Sequence, residues 1–568
     1  MQSFWSHLIA APILLPLLTA AGLLLMGEGR RSVKAAINVA ACVAGLLIAV
    51  ALAWDADGAR AIGVYLPGNW PVPYGIVLVA DRLSALMLVL TGALALAASL
   101  YAATRWHRAG VHFHALFQLQ LMGLNGAFLT GDLFNLFVFF EVMLTASYGL
   151  LLHGSGWARV RAGLHVIAIN LMASTLFLIG AALLYGVTGT LNMADMAIMA
   201  ASIAPADRGL LHAGAAILAV AFLAKAGAWP LAFWLPGAYA SAAAPVAALF
   251  AVMTKLGVYA LLRVWTLLFS ADAGASSGFG GPVITGIGLA TLAFGAVGMV
   301  AARNLGRMAA FGTIVSSGTL LAAIGLYQAP VTGAALYYAA ASTLAMGALF
   351  LLIELIDRAR QVDETPPLVN EALPSAPGGA GGGRVAFQRF APEATGASPD
   401  ANLPGVNLDD AGQALTGRAI PAAMAFLGLA FMACGLTLAG LPPLPGFVGK
   451  FSMLSALLAA GAVPKAGWAF FALLLAGGLL TLIAVSRAGV RGFWTPRAQP
   501  PRLLLTETLP IAFLVGLLLL LTVWAGPALR YTQATARGLH APRGYIGAVV
   551  TARPRPPSNP AGLGGGSP

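Results

Sequence analysis

Four side chains in this sequence are of the right type to hold and pass a proton inside a lipid bilayer: Glu141, Lys225, Lys255 and Lys450. Each lies within a run of apolar residues. Glu141 sits in LFNLFVFFEVMLTASYGLLL, with about nine largely apolar residues on either side. A lysine at the centre of a membrane span costs roughly 2.5–3.5 kcal/mol on insertion scales, and a lone carboxylate is similarly expensive, so such residues are retained for a reason. Lys225 is followed by Pro230 and Pro236, and Lys450 is preceded by Pro442, Pro443 and Pro445. Proline removes a backbone donor and breaks a helix, and the freed carbonyls then line a cavity or a binding site. Of 31 basic residues only five are lysine (34, 225, 255, 450 and 465), and three of the five fall in apolar runs. Buried lysine releases its proton readily, whereas arginine does not.

Each of these residues also has a plainer structural reading. Glu141 could serve only as a buried partner for a lysine, and Lys225 could neutralise the carbonyls freed by its break. Lys255 could extend its stem toward a headgroup region. Gly446 and Gly449 would let another backbone approach Lys450 closely. Asp132 and Asp81 stand at helix starts, where the dipole favours an acid whether or not it carries protons. His112 and His114 are secondary candidates for proton entry, and Glu354 with Asp357 for either a pathway or an interface. His165 reads as a satisfied polar group near an interface.

The elements that must position these residues are membrane helices. The chain is 568 residues long, 59% hydrophobic and only 9% charged, far below the roughly one-quarter charged residues of soluble domains. Its net charge of +12 comes from short basic loops, not from a stripe that would suit nucleic acid. Cys42 and Cys434, both in apolar runs, form neither a disulfide framework nor a metal site. No metal, cofactor or catalytic residue is expected. The apolar runs predict an all-α integral membrane protein of about fourteen transmembrane helices, the first of them retained rather than cleaved. Basic residues follow the odd-numbered runs: Arg30, Arg31 and Lys34, then Arg105 and Arg108, Arg159 and Arg161, Arg303 and Arg307, and Arg487 to Arg502. That asymmetry predicts cytoplasmic loops there and both termini on the outer side of a bacterial inner membrane.

Proline-broken runs recur at the seventh and twelfth positions, each with a lysine beside the break. This predicts two inverted five-helix repeats with broken helices 7 and 12, as in many secondary transporters. The expected organisation is a three-helix region (1–112), a first repeat (113–268), a second repeat (282–357 and 420–486), and a last helix (505–526). The segment 358–419 reads as a disordered cytoplasmic loop and 527–568 as an unstructured tail.

Three stretches, GDLFNLFVFFEVMLTASYGLL, LAKAGAWPLAFWLPGAYASAAAPVAALFAVMTKLGVYALLR and LAGLPPLPGFVGKF, resemble the proton-translocating antiporter-like family. That family holds the large membrane subunits of respiratory complex I and of the Mrp-type multisubunit Na+/H+ antiporters. The wording around Glu141 is most similar to the D-type subunits of the latter. The resemblance implies a hetero-oligomer of membrane subunits exchanging H+ for Na+ or another monovalent cation. It also implies a polar axis at mid-membrane through Glu141, Lys225, Lys255 and Lys450. Two departures stand out: Gly237 follows WLP where the family often has an acid, and YYAAASTLAMGALFLL lacks the histidines of complex I relatives. The expected mechanism is a lateral relay in which a lysine that loses its carboxylate partner passes its proton onward. Two charges ~4 Å apart interact by about 4 kcal/mol at an effective dielectric near 20, enough to drive such a step. The rival readings are a proton-pumping subunit of complex I or of a membrane hydrogenase, and a non-conducting scaffold.

Overall fold

A computed structural model describes residues 7–58, 62–364, 422–459, 461–493 and 503–554. Helices α1 (Ala11–Leu25) and α2 (Arg31–Asp57) lead into an antiparallel hairpin of β1 (Ile62–Tyr65) and β2 (Leu78–Asp81), in which Ile62 faces Asp81. There follow α3 (Arg82–Ala102), α4 (Phe113–Leu129), α5 (Leu133–Leu152), α6 (Trp157–Thr188) and the short α7 (Met193–Ser202). The proline-rich stretch forms α8 (Arg208–Ala226), a single 3-10 turn, α9 (Trp234–Ser241) and α10 (Ala244–Leu268). Beyond it come α11 (Gly281–Ala301), α12 (Leu305–Gly325) and α13 (Ala329–Glu364). After the undescribed segment the chain continues as α14 (Ala422–Ala439), α15 (Pro445–Ala459), α16 (Lys465–Phe493), α17 (Leu505–Val523), α18 (Ala525–His540) and α19 (Arg543–Val550).

Among the described residues twelve helices are long and apolar enough to cross a membrane, with α8 and α9 taken as one interrupted crossing. The expected fourteen would need α1 and α4, which at 15 and 17 residues fall short of the ~20 of a full span.

The lysine-bearing α10 is the axis of the molecule, since every one of its residues is buried. Pro245 opens it at a first-turn position, where a missing N–H costs nothing. Helix α13 runs antiparallel beside it: the Tyr327 hydroxyl, just before α13, donates to the Phe269 carbonyl at the far end of α10 (2.7 Å). By contrast, much of α2, α16 and α17 is exposed apolar surface, suited to lipid or to neighbouring subunits.

Leu78–Asp81 is a strand whose apolar residues are buried, and α3 starts only at Arg82. The structure corrects two expectations. The tail expected to be unstructured from 527 instead continues as α18 and α19. Thr532, Thr535, Ala536 and Leu539 recur at helical spacing and are buried, a face that low overall hydrophobicity conceals. Pro236 does not break a helix: it lies in the first turn of α9, where no intrahelical donor is required. The expected disordered loop falls largely outside the described residues, although α13 runs on to Glu364.

Asp81 caps α3 by accepting from Ser84 N (2.9 Å) and forms a bidentate pair with Arg263 at 2.7 Å for both bonds. Burial pushes the Asp81 pKa up, but the guanidinium charge and the hydrogen bonds outweigh it and hold the carboxyl below its ordinary range. The pair therefore contributes fully at neutral pH and is lost as pH falls from the ordinary carboxylate value through the depressed one. Asp81→Asn leaves a buried guanidinium unpaired, which costs about 3–5 kcal/mol. A clear drop in the thermal unfolding midpoint of the detergent-solubilised protein is expected at pH 7, shrinking in acid.

Candidate functional site

Both broken crossings end their first half in the same way. Helix α8 stops at Gly227 in the left-handed region (φ 68°), with Gly227 N bonded to Ala224 O and Ala228 N to Leu223 O. Helix α14 stops at Gly440 (φ 81°), with both Gly440 N and Leu441 N on Leu436 O. These are glycine C-caps, and the prolines that follow prevent the helix from resuming. The breaks therefore lie at Gly227–Pro230 and Gly440–Leu444, with Pro230 and the Pro442–Pro443 pair inside them. Pro445 is the first residue of the second half-helix, not part of the break. Trp229 N, freed by the first break, donates to Thr291 Oγ1 of α11 (2.9 Å).

Each break brings an ammonium group near the negative end of its first half-helix, by opposite routes. Lys225 occupies the last turn of α8 itself. Lys450 belongs to the second half, α15, and reaches back to donate to Leu438 O (3.0 Å) and Ala439 O (2.9 Å), the last carbonyls of α14. Close packing permits this: a Cβ on Gly446 would collide with Thr437 O. The expectation that Gly446 allows a close backbone approach holds, as it does for Gly449 against Tyr338.

Lys225 and Lys255 differ from Lys450. Both are at least 95% buried, and neither Nζ has a hydrogen-bond partner among the described residues. Lys255 does not snorkel. Lys225 Nζ stands 4.8 Å from the centre of the Phe140 ring, next in sequence to Glu141. Glu141 is half-buried on α5 and accepts a short hydrogen bond from Ser174 Oγ, while acting on Lys225 only through its charge. The expected direct carboxylate–lysine pair is thus not formed. Between the two lysines, α8 and α10 touch backbone to backbone: a Cβ on Gly257 would lie 2.5 Å from Ala226 N.

From Lys255 toward Lys450 the polar residues are hydroxyls. Leu320 of α12 lines a small cavity with Lys255. One turn away, Ser316 Oγ bonds Ser342 Oγ of α13 (2.8 Å). The Tyr338 hydroxyl is within reach of Thr319 and Ser316, and its ring centre is 6.0 Å from Lys450 Nζ. The YYAAAST segment, which lacks histidine, supplies Tyr338 and Ser342 to this row. Sequence reading missed them because serine and threonine are common in membrane helices for packing alone.

A second polar group lies where α10 begins and α13 ends. A cavity of about 380 Å³ is lined there by Arg105, Trp106, Tyr239, Glu354, Asp357 and Arg358. Glu354 accepts from Trp106 Nε1 (2.7 Å), Arg159 stacks over the Trp106 ring at 5.2 Å, and His153 Nε2 sits 2.9 Å from Trp106 O. Arg358 pairs with Glu507 at 2.7 Å. Glu354 and Asp357 thus belong to one vestibule. Below it, Tyr239 donates to Phe250 O (2.8 Å) and packs against Phe350.

The remaining candidates lie apart from the track. Asp132 caps α5 on Asn135 N (2.8 Å), and burial raises its pKa. His112 is the left-handed residue before α4. His114 is buried 5.9 Å from the His107 ring, on the vestibule side of α4. His165 is exposed and within 2.8 Å of Arg161 O, the satisfied polar group expected.

These geometries predict opposite stability effects for similar substitutions. Lys450→Met strands two buried carbonyls and is expected to cost about 1–3 kcal/mol. Lys255→Met removes an unpartnered ammonium and is expected to leave the unfolding midpoint unchanged or raise it. Thermal unfolding of the two purified variants in the same detergent checks the contrast.

The comparisons with known proteins agree with this architecture. Residues 130–370 match the family described as NADH:quinone oxidoreductase/Mrp antiporter, TM. The chain is 49% identical over 563 residues to a Rhizobium meliloti protein named as the probable D-type subunit of a K(+)/H(+) antiporter, covering 97% of this chain and 99% of that one. It is 32% identical to the D-type subunit of the Na(+)/H(+) antiporter of Alkalihalophilus pseudofirmus, covering 96% of this chain and 99% of that protein. The solved structure of the Mrp complex from Dietzia sp. contains a chain that matches with a TM-score of 0.77 at 26% identity, covering 96% of this chain and 99% of that one.

Proposed function

The chain belongs to the NADH:quinone oxidoreductase/Mrp antiporter family of membrane proteins, and we propose that it is the D-type subunit of a multisubunit monovalent cation/H+ antiporter. It is part of a secondary transporter, not an enzyme, and it works in a hetero-oligomer of membrane subunits. The cation is K+ or Na+, as the names of its relatives indicate. Protons move along Glu141, Lys225, Lys255 and Lys450, with Ser316, Ser342 and Tyr338 bridging the last interval. The observation that carries this reading is the pair Lys225 and Lys255. Neither buried ammonium group has a hydrogen-bond partner among the described residues, and a group that must lose and regain a proton cannot be locked in strong bonds.

The orientation follows from the arginines. Arg31 reaches the Arg108 carbonyl (3.3 Å) and Arg487 the Val300 carbonyl (3.2 Å), so loops far apart in sequence share faces. By the positive-inside rule the vestibule face is cytoplasmic and the hairpin face is outer, with both termini outside a bacterial inner membrane. In this reading α1 and α4 complete fourteen crossings, and 113–268 and 282–357 with 420–486 are inverted repeats, each with a glycine-capped break.

Lys450 bonded to two carbonyls is the observation that favours a scaffold, and the test separates the two readings. The whole complex is expressed in cells lacking other antiporters, and everted vesicles are assayed with a pH-sensitive dye on addition of NaCl or KCl. Glu141→Gln and Lys225→Met are each expected to assemble normally and to lose at least about tenfold in cation-induced proton flux, a barrier change near 1.4 kcal/mol or more. Normal flux in assembled Glu141→Gln would sink the relay. Flux appearing only with NADH would favour a respiratory pump.

A further inference from the structure

Lys225 meets an aromatic ring where a buried ammonium would ordinarily meet an oxygen. Its Nζ stands over the Phe140 ring, 4.8 Å from the ring centre, and has no hydrogen-bond partner among the described residues. The ring is 1% exposed, so bulk water competes for neither group. Neighbouring rings fix its place. Phe140 of α5, Phe177 of α6 and Phe222 of α8 form a triangle with centres 6.1, 6.4 and 5.5 Å apart, and all three are buried. Phe222 precedes Lys225 by three residues, so both side chains leave one face of α8 and meet Phe140 there.

Glu141, the next residue on α5, points elsewhere, since successive helix positions are turned by about 100°. Its carboxylate accepts from Ser174 Oγ of α6 and acts on Lys225 through its charge. Two adjacent residues of α5 thus share the lysine: Phe140 holds it by contact, and Glu141 biases it from a distance. A carboxylate in direct contact would favour the charged lysine strongly and hold its proton. The negative face of an aromatic ring also favours the ammonium over the neutral amine, but it is a weaker hold. The lysine of the other break has a ring near it too, Tyr338 at 6.0 Å, but there two carbonyl bonds do the holding.

We propose that Phe140 is the positioning residue for Lys225, its ring face setting how readily that lysine keeps a proton. This rests on the relay reading, in which Lys225 carries protons. The other charged groups on the helices around Lys225 are Glu141 on α5, Arg159, Arg161 and His165 near the start of α6, and Lys255 and the paired Arg263 on α10. The phenols there are Tyr148, Tyr185 and Tyr259. Of all these, Glu141 is the one whose charge reaches Lys225.

The test uses the whole complex in everted vesicles, with cation-induced proton flux measured across a range of pH. A contact that favours the ammonium raises proton affinity, so its loss moves the alkaline limb of the profile toward acid. In a desolvated site a cation–π contact changes that affinity by about tenfold, or about one pH unit. Phe140→Leu is expected to shift the alkaline limb by this amount with near-native flux at the acid end, and Phe140→Tyr to keep the native limb. Phenylalanine analogues carrying one, two or three ring fluorines, placed at this position by nonsense suppression, weaken the ring face with little change of shape. They are expected to move the limb stepwise. If Phe140→Leu does not assemble, the fluorinated series decides. Lys225→Met separates the premises: native flux in that variant overturns the relay itself. Loss of flux in Lys225→Met together with an unmoved limb in the fluorinated series overturns the role of Phe140 alone.

Discussion

A charge inside a hydrocarbon slab is met by dipoles where it can be, and this protein meets Lys450 with the carbonyl end of an interrupted helix. A continuous helix has no free carbonyls to offer at mid-membrane. Two glycine caps create such ends at Gly227 and Gly440, and prolines keep the helices from re-forming across them. Lys225 sits on the first half-helix whose end it faces, while Lys450 comes from the second half and turns back to reach the first. Similar electrostatic positions are thus filled from opposite sides of the break.

The two lysines at the centre are held less firmly than Lys450. Lys450 donates two hydrogen bonds to carbonyls that favour its charged form, and Lys225 and Lys255 donate none among the described residues. Backbone contact at Gly257 sets the spacing between α8 and α10, and a buried row of hydroxyls continues toward Lys450. Hydroxyls both donate and accept, so they relay a proton without carrying charge, at little desolvation cost in a dry interior.

Helix α10 lies across the whole arrangement because it is buried throughout and has polar groups near both of its ends. At one end, the aromatic rings of Tyr239, Phe250 and Phe350 pack together beneath the vestibule. At the other, the Asp81–Arg263 pair and the amphipathic α18 lie on the hairpin face. The tail takes part because it buries one face of an amphipathic helix, not because it is hydrophobic overall.

Read in order, the residues alone establish that this is a helical membrane protein, that Glu141, Lys225, Lys255 and Lys450 fall at mid-span, and that two crossings are interrupted. Hydrophobic run length and the cost of charge in lipid act locally, so a single chain reveals them. The interruptions were placed at prolines, although the Gly227 and Gly440 caps a few residues earlier were legible as helix stops. Three-dimensional packing alone dictates that Glu141 bonds Ser174 rather than Lys225, that Lys450 holds carbonyls while Lys255 holds none, and that the Tyr338 ring stands beside Lys450 with Ser316 bonded to Ser342 nearby. Those facts depend on which faces of distant helices meet, through close approaches such as Gly257 on Ala226, and no periodicity within a single helix encodes its neighbour.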